Sequence, residues 1–296
     1  MTQKKKKQPK KKVIPNNFAV FILSNGRPDK VYTYSTLRRA GYTGKIFILI
    51  DNLDPAGDQY RELYGDEVIV FDKKKTAEQF DIADNFDSLR GVVYARNANF
   101  KIAEELGLKY FLQLDDDYNS FQYRFDQNYE YRYLLIRNLD KVFRALLDFF
   151  IVSGASSVAM AQGGDFIGGS EAAMAQAVML KRKCMNSFFC SVERPFSFPG
   201  RINEDTTAYT YLGALGYLMF TVNQVILVQH VTQSNPGGLT ELYLDSGTYV
   251  KSFYSVMFQP SSIRVRPMNY KNPRLHHSVA WDLTVPKILR ESVRNA

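Results

Sequence analysis

The sequence predicts an α/β protein: a mixed, mostly parallel sheet flanked by helices, in a single large domain. Two apolar runs, 18–23 and 45–50, each lead into a polar loop, and a helix-like segment at 31–40 separates them. A strand, a helix and a second strand in this order favour a parallel pair. A third apolar run at 109–114 has the character of a buried central strand and ends in three consecutive aspartates. At 296 residues the chain is long enough for one full core.

Composition separates a tail from a body. With 45% hydrophobic and 14% aromatic residues, the chain has the make-up of a globular protein. The net charge of +8 comes mostly from the lysine runs within residues 4–12, so the rest of the chain is close to neutral. We expect 1–15 to be a disordered tail that either attracts nucleic acid or only aids solubility, and 16–296 to be the folded domain.

Targeting and cysteine signals are weak. Cys184 and Cys190 do not have the spacing of a zinc site, which favours reduced thiols. No apolar stretch reaches the roughly 18 residues of a membrane span, and residues 18–23 are too few for a signal-peptide core. We therefore expect a cytoplasmic protein, with its oligomeric state open.

The first two strands bring polar residues to one sheet edge. Ser24, Asn25 and Arg27 follow the first strand, and the second strand ends in Asp51. A carboxylate at the end of the second strand often accepts from a ribose hydroxyl or a base. A GxGxxG motif is absent, so the sequence predicts a nucleotide site without a dinucleotide fingerprint.

Arg96 lies near the start of a predicted helix that ends at Gly107, after a short third strand at 67–71. A guanidinium in this place could neutralise a diphosphate or pair with a carboxylate of a neighbouring loop. The residue alone leaves both interpretations open.

The acidic triplet Asp115-Asp116-Asp117 lies where α/β sheets bind ligands, at the C-terminal end of a strand. Adjacent carboxylates repel one another unless a cation neutralises them, and Mg²⁺ or Mn²⁺ prefers such oxygen ligands. A solvated acidic turn is an equal alternative for the triplet alone.

The second half contributes further candidates. A helix is predicted at 134–152 and a strand at 157–162, and the glycine-rich segment 163–169 that follows is either an acceptor-side loop or a simple connection. Asn203-Glu204-Asp205 precedes a helix and by itself indicates capping. Residues 217–231 are predicted to form either a buried strand pair or a strand with a turn at 222–224, with His230 as a core histidine.

Two features are predicted towards the C-terminus. Tyr249, Phe253 and Met257 form a helical stripe that indicates core packing. His276 and His277 are adjacent, which favours surface exposure when they are considered alone.

Taken together, the Ser24 loop, Asp51, the Ala-Arg-Asn helix start and the acidic strand end resemble GT-A glycosyltransferases. The resemblance implies that Asp115 and Asp117 form a DxD motif that holds Mn²⁺ or Mg²⁺ against the diphosphate of a nucleotide sugar. It also implies that Asn203-Glu204-Asp205 is an xED motif, with Asp205 as general base and Glu204 in reserve. GT-A folds commonly return a C-terminal histidine to the cation, and His277 is the candidate, with His276 as the alternative.

Longer strings are similar to a narrower group, the TET/JBP-associated glycosyltransferases. These strings are 112–118, 201–206, 246–254 and the histidine pair followed by 286–289. The resemblance implies transfer from a UDP-sugar to a hydroxymethylated pyrimidine such as 5-hydroxymethylcytosine in DNA, as in bacteriophage hypermodification, and hence action in the host cytoplasm. Residues 16–118 would bind the donor and 119–296 the acceptor. The donor contacts would be Ser24, Asn25, Arg27, Asp51, Arg96, Asp115 and Asp116.

Several alternatives remain open. The acceptor could be a protein or a polysaccharide, or the fold could serve as a non-catalytic binding module. Asp116 faces either the ribose or the solvent. The aromatic residues after the acidic triplet would either stack on a flipped base or close a loop by hydrophobic contact; they are Tyr118, Phe121, Tyr123 and Phe125.

Overall fold

The computed structural model describes residues 13–291 except for 129, 163–165, 167–168, 172–177, 183, 186, 230–249 and 269–273. Predictions for the lysine-rich segment up to residue 12, for His230, for Tyr249 and for most of the glycine-rich segment therefore lie outside the described residues.

The strands and helices alternate through the first half of the chain and the strands dominate the second. The strands are β1 Phe18–Leu23, β2 Lys45–Asp51, β3 Val68–Phe71, β4 Tyr110–Asp115, β5 Tyr118–Phe125, β6 Tyr131–Leu135, β7 Ser157–Gln162, β8 Val178–Met179, β9 Ser187–Ser191, β10 Met219–Gln229, β11 Ile263–Met268 and β12 Arg274–Val279. The helices are α1 Tyr32–Arg39, α2 Gly57–Tyr64, α3 Lys73–Ala77, α4 Val93–Glu105, α5 Leu139–Ser153, α6 Glu204–Ala214, α7 Val250–Phe258 and α8 Trp281–Thr284.

Among the described residues, one large sheet has the order β3-β2-β1-β4-β9-β7-β10-β5-β6, with β8 beside β10. The pairs β1–β2, β1–β4, β2–β3 and β7–β10 are parallel, while β9 runs antiparallel between β4 and β7. Strands β11 and β12 form a separate antiparallel ribbon. The predicted fold class, a mixed and mostly parallel sheet flanked by helices, is confirmed.

The central strands are apolar throughout because both faces of the sheet are covered. All six residues of β1 are buried. Alternate residues face opposite sides: Val20 and Ile22 pack in the core formed with α1 and α5. Ala19 and Phe21 pack in the core formed with α4 and α6. The two cores fix the register of β1, since a slip of one residue would exchange them.

Two predicted elements are corrected in detail. The helix predicted at 134–152 begins only at Leu139, because Leu134 and Leu135 belong to the edge strand β6. The turn predicted within 222–224 is a bulge inside one continuous strand: β10 pairs with β7 up to Val222 and again from Ile226.

The stripe predicted in α7 is also wrong for its two described members. Phe253 and Met257 are exposed, whereas Ser252, Tyr254 and Ser255 are buried. The face that α7 buries is polar because it contacts the segment before α6, where Ser255 accepts a hydrogen bond from Asn203.

Candidate functional site

Asp51 is a buried carboxylate at the end of β2, and it organises one side of the sheet edge. Asn25 Nδ2 donates to its Oδ2 over 3.0 Å, and Lys73 Nζ donates to the same oxygen over 2.8 Å. The backbone N–H of Leu53 donates to Oδ1. The structure therefore brings the predicted residues Asn25 and Asp51 together and adds Lys73, which the sequence analysis missed.

Asp116 anchors the loop after β1. Arg27 donates to both of its carboxylate oxygens, through Nε over 2.8 Å and through Nη2 over 2.7 Å. Ser24 Oγ also donates to Asp116, over 2.6 Å. Asp116 is only 1% exposed, so the solvent-facing alternative is wrong for this residue. A bidentate pair of this kind fixes the planar guanidinium as well as its charge.

The loop after β1 and the end of β2 border a cleft of about 300 Å³. Three cations line it, namely Arg27, Lys73 and Arg90. Lys73 follows the end of β3, so the strand-end argument that found Asp51 could have found it too. No sequence pattern marked Arg90. The lining residues are Leu23, Ser24, Asn25, Arg27, Asp51, Phe71, Lys73, Arg90, Gly91, Val92 and Ala95.

Arg96 joins the two predicted catalytic motifs. Its Nε donates to Glu204 Oε1 over 2.9 Å, and its Nη2 donates to Asp115 Oδ1 over 3.0 Å. The side chain is 1% exposed and lies 5.0 Å from the ring of Phe188. The carboxylate-pairing interpretation is confirmed. Arg96 is also absent from the described lining of the cleft, so its contact with a nucleotide stays a prediction.

Burial and mutual repulsion perturb the acidic strand end. Burial raises the pKa of Asp115, the nearby charges of Asp116 and Asp205 raise it further, and Arg96 opposes them. Burial together with the charges of Asp115 and Asp116 raises the pKa of Asp117 to about 7. A divalent cation would relieve this repulsion. Two carboxylates also fit Mg²⁺ or Mn²⁺, which complete their coordination with substrate phosphate and water.

His277 lies beside the segment that precedes α6. Its Nδ1 is 3.4 Å from Asn203 Nδ2, and the rings of His276 and His277 are 4.2 Å apart. Within the described part of the chain, no three His, Cys, Asp or Glu side chains converge on a point that could hold a metal. The structure thus places His277 near the xED segment, and its role as a metal ligand stays a prediction.

The xED segment is buried and its geometry is not that of a simple cap. Asn203 adopts a left-handed conformation with φ of 60° and makes no side-chain capping bond, so the capping interpretation is wrong for this residue. Asp205 Oδ1 accepts the backbone N–H of Thr206 over 2.7 Å. Burial raises the pKa of Glu204, the negative Asp205 raises it further, and Arg96 opposes both.

The aromatic residues predicted to stack on a base divide into two groups. Tyr118 and Phe121 are 0% and 1% exposed and belong to the core beneath α5, so stacking by them is wrong. Tyr123 and Phe125 are half-buried, and their stacking stays a prediction.

Arg201 ties the wall of the cleft to the xED segment. It donates to Asp84 Oδ2 over 2.8 Å and to Tyr254 OH over 3.1 Å. Its N–H donates to the carbonyl of Ile82. Gly91, with φ of +136°, lies so close that a Cβ there would be 2.8 Å from the carbonyl oxygen of Arg201. The irregular segment 81–91 is therefore held to Arg201, two residues before Asn203.

Comparisons with known proteins identify a family for this sequence. A family model described as TET-Associated Glycosyltransferase matches residues 18–238. No curated protein matches the sequence. A similar solved structure is the mannosyltransferase PcManGT from Pyrobaculum calidifontis in complex with GDP-Man and Mn²⁺, with 11% sequence identity and a TM-score of 0.45. That match covers 74% of this chain and 58% of the mannosyltransferase chain. None of the described helices is both long and apolar enough to cross a bilayer.

Proposed function

Because this chain belongs to the TET-associated glycosyltransferase family, we propose that it transfers a sugar from a nucleotide-sugar donor to the hydroxymethyl group of a modified pyrimidine in DNA. One observation carries the proposal. Arg96 hydrogen-bonds both Asp115, at the end of a central strand, and Glu204, at the start of α6. The metal-binding and base-containing motifs implied by the sequence thus share one buried cation.

The cleft beside Asp51 suits a UDP-sugar. Arg27, Lys73 and Arg90 supply positive charge for a diphosphate, and Leu23 and Phe71 supply an apolar wall. Arg27 remains 27% exposed although it pairs with Asp116, so its guanidinium is accessible to a ligand. Asp51 would accept a hydrogen bond from the nucleoside, and the side-chain amide of Asn25 would donate one to it.

Asp115 and Asp117 would hold Mn²⁺ or Mg²⁺, and His277, which does not converge with them among the described residues, is proposed as a further ligand. Bound there, the cation would neutralise charge on the departing diphosphate as a Lewis acid. The chain itself contributes Arg96, which hydrogen-bonds Asp115 and opposes the rise that burial causes in its pKa. Raised pKa values in a group of carboxylates are typical of functional sites.

Asp205 would accept the proton of the hydroxymethyl group as its oxygen attacks the anomeric carbon and the bond to the diphosphate breaks. Glu204 is already engaged by Arg96, which favours Asp205 for this role. A pyrimidine inside a duplex is out of reach, so the substrate must be single-stranded or the base must be flipped.

The test is transfer of labelled sugar from UDP-glucose and other UDP-sugars, with Mn²⁺, to oligonucleotides containing hydroxymethylcytosine or hydroxymethyluracil. We expect product whose mass increases by one sugar unit, and none with unmodified DNA. Donor hydrolysis without transfer to either oligonucleotide would favour the protein or polysaccharide acceptor instead.

The matched variant is Asp205→Asn. We expect kcat for transfer to fall by roughly 10²–10⁴-fold, as for loss of a general base. Donor binding, measured by calorimetry, should be unchanged. An unchanged transfer rate in Asp205→Asn would contradict the role of Asp205 as general base and would leave the proposed DNA acceptor unaffected.

A further inference from the structure

Arg124 is a buried cation that the mechanism does not use. Its side chain is 5% exposed, and within the described part of the chain its Nε and Nη1 have no hydrogen-bond partner. The described ion pairs near it use other groups: Arg132 takes both Asp126 and Glu130. Burial lowers the pKa of Arg124, and only Tyr131 and Tyr133 oppose this. Since a buried charge is costly unless an anion accompanies it, this guanidinium is suited to an external anion.

Aromatic rings surround the guanidinium. Arg124 Cζ lies 3.9 Å from the ring centroid of Tyr133 and 5.2 Å from that of Phe166. Tyr131 continues the cluster, with its ring 5.5 Å from Tyr133 and 5.9 Å from Phe166. Tyr133 is 64% exposed. A small rotation of this exposed ring would therefore open Arg124 to a ligand and leave an aromatic face beside it.

The cluster lies on the same face of the sheet as the catalytic motifs, and Arg124 lies about 20 Å further along β5 than Tyr118, which follows the acidic triplet. Strands β4 and β7 both run antiparallel to β9, so they are parallel to each other. Phe166 follows β7, whose C-terminal end is at the edge where β4 ends in Asp115. It packs on Ala161, which faces the same side as Ala159, and Ala159 belongs to the core formed with α6.

We propose that Arg124, Tyr131 and Tyr133 form a subsite for a single-stranded polynucleotide, in which Tyr133 stacks on a base and Arg124 pairs with a neighbouring phosphate. The subsite rests on the proposed function for its place, as it would hold nucleotides flanking the reactive base. Its chemistry does not depend on that function, because an aromatic face next to a guanidinium is what single-strand binding surfaces provide. An acidic peptide would use the cation but gain little from the rings.

The test is binding of unmodified fluorescent oligothymidylate to the full chain by anisotropy, without metal or donor. We expect Tyr133→Ala to weaken binding about tenfold and Tyr133→Phe to bind within about twofold of the parent, because stacking survives in phenylalanine. Arg124→Gln should reduce the slope of log K against log salt by about 0.7, the value for one phosphate contact of a single strand.

Arg194→Gln is the matched control. Arg194 is likewise a guanidinium over an aromatic ring, 4.8 Å from the centroid of Phe150, although it is half-buried rather than buried, and burial lowers its pKa as well. It follows β9 at the opposite edge of the sheet. We expect its replacement to leave both the affinity and the salt slope unchanged.

Three results would overturn the subsite: unchanged affinity in Tyr133→Ala, an unchanged salt slope in folded Arg124→Gln, or displacement of the oligonucleotide by polyglutamate at equal charge concentration. If Arg124→Gln fails to fold, the exposed Tyr133 variants decide alone. The assay contains no sugar donor and no hydroxymethyl base. Oligonucleotide binding that depends on Tyr133, in a protein that transfers no sugar, would support the subsite and contradict the proposed function. Sugar transfer that Tyr133→Ala leaves unchanged would support the proposed function and contradict the subsite.

Discussion

Arg96 is the residue on which the geometry of the site depends most directly. It pairs with Asp115 and Glu204, whose positions are 19 and 108 residues away along the chain. Because all three side chains are largely withdrawn from water, removing the cation would leave two carboxylates to repel one another at low dielectric. We therefore expect these ion pairs to stabilise the fold.

We predict that Arg96→Met lowers the free energy of unfolding at pH 8 by about 3–5 kcal/mol, the usual cost of removing one partner of a buried pair. Urea denaturation measures this. Adding Glu204→Gln to Arg96→Met should recover part of the loss, because one of the stranded charges is then gone. Strictly additive losses in the double variant would contradict the coupling.

Asp117 gives a pH prediction. Its pKa of about 7 lies above the ordinary value of 3.8, so in metal-free protein its contribution to stability is present at low pH and is lost as pH rises through 7. Asp117→Asn should therefore be more stable than the parent at pH 8, by about 1–2 kcal/mol once solvent screening is allowed for, and equal to it near pH 4. Thermal unfolding in chelator measures this.

The control for that experiment is Asp58→Asn, since Asp58 is fully exposed on α2 and its ion pair among the described residues is with Arg61. It should change stability little at either pH. Saturating Mn²⁺ should reverse the order at pH 8, because the parent then gains the binding free energy that Asp117→Asn loses. A parent that stays less stable than Asp117→Asn in Mn²⁺ would argue against Asp117 as a ligand.

The sequence predicted the site best where a rule about strand ends applied. Parallel strands end in Asp51 and Asp115, and the Ser24 loop follows a third parallel strand. The structure places all three at one edge of the sheet. The rule could not say which polar atoms pair with each other, so Asp116 was left between ribose and solvent. Tyr118 was misassigned because alternation in β5 turns it inward, and a polar flanking sequence does not reveal that direction.

At the scale of elements, the segment 81–91 shows how an irregular stretch is held without regular hydrogen bonding. Arg201 bonds to Asp84 and to the carbonyl of Ile82, and Tyr254 on α7 donates to Asp84 as well. One wall of the cleft beside Asp51 is therefore held in place by residues from the second half of the chain.

We predict that Gly91→Ala raises KM for the donor more than it lowers kcat, because the added Cβ would push the segment bearing Arg90 away from the carbonyl of Arg201. Stability should fall by about 1–3 kcal/mol from the strained backbone and the clash. Steady-state donor kinetics and calorimetric melting measure the two effects.

Gly107→Ala is the control that separates backbone strain from the clash with the carbonyl of Arg201. Gly107 also has a positive φ, of +66°, but no atom lies within 4 Å of a Cβ placed there. It should lose a similar amount of stability from strain and leave donor KM unchanged. A donor KM raised equally in both variants would show that the cleft responds to general destabilisation.

Element prediction failed at β9 and β6 for a physical reason. β9 is only five residues long and has Ser187 and Ser191 at its ends, and its place between β4 and β7 comes from pairing with strands distant in sequence. Local pattern carries no information on such pairing. In β6, four of the five side chains are exposed, so the strand lacks the apolar alternation that would have separated it from α5.

The whole molecule combines a near-neutral body with a strongly basic terminal segment. We predict that deleting residues 1–12 weakens oligothymidylate binding and makes the salt dependence shallower, since up to seven lysines would no longer release counterions. Donor hydrolysis should not change. Unaltered salt dependence after the deletion would favour the tail as a solubility device.

The place of β9 in the sheet has a consequence for biosynthesis. The chain leaves the ribosome from its N-terminus, so β4 with its acidic end emerges more than 70 residues before β9. Until then one side of β4 offers unpaired backbone N–H and C=O groups, and open strand edges attract other chains. We therefore expect a nascent chain stalled between β4 and β9 to be prone to aggregation.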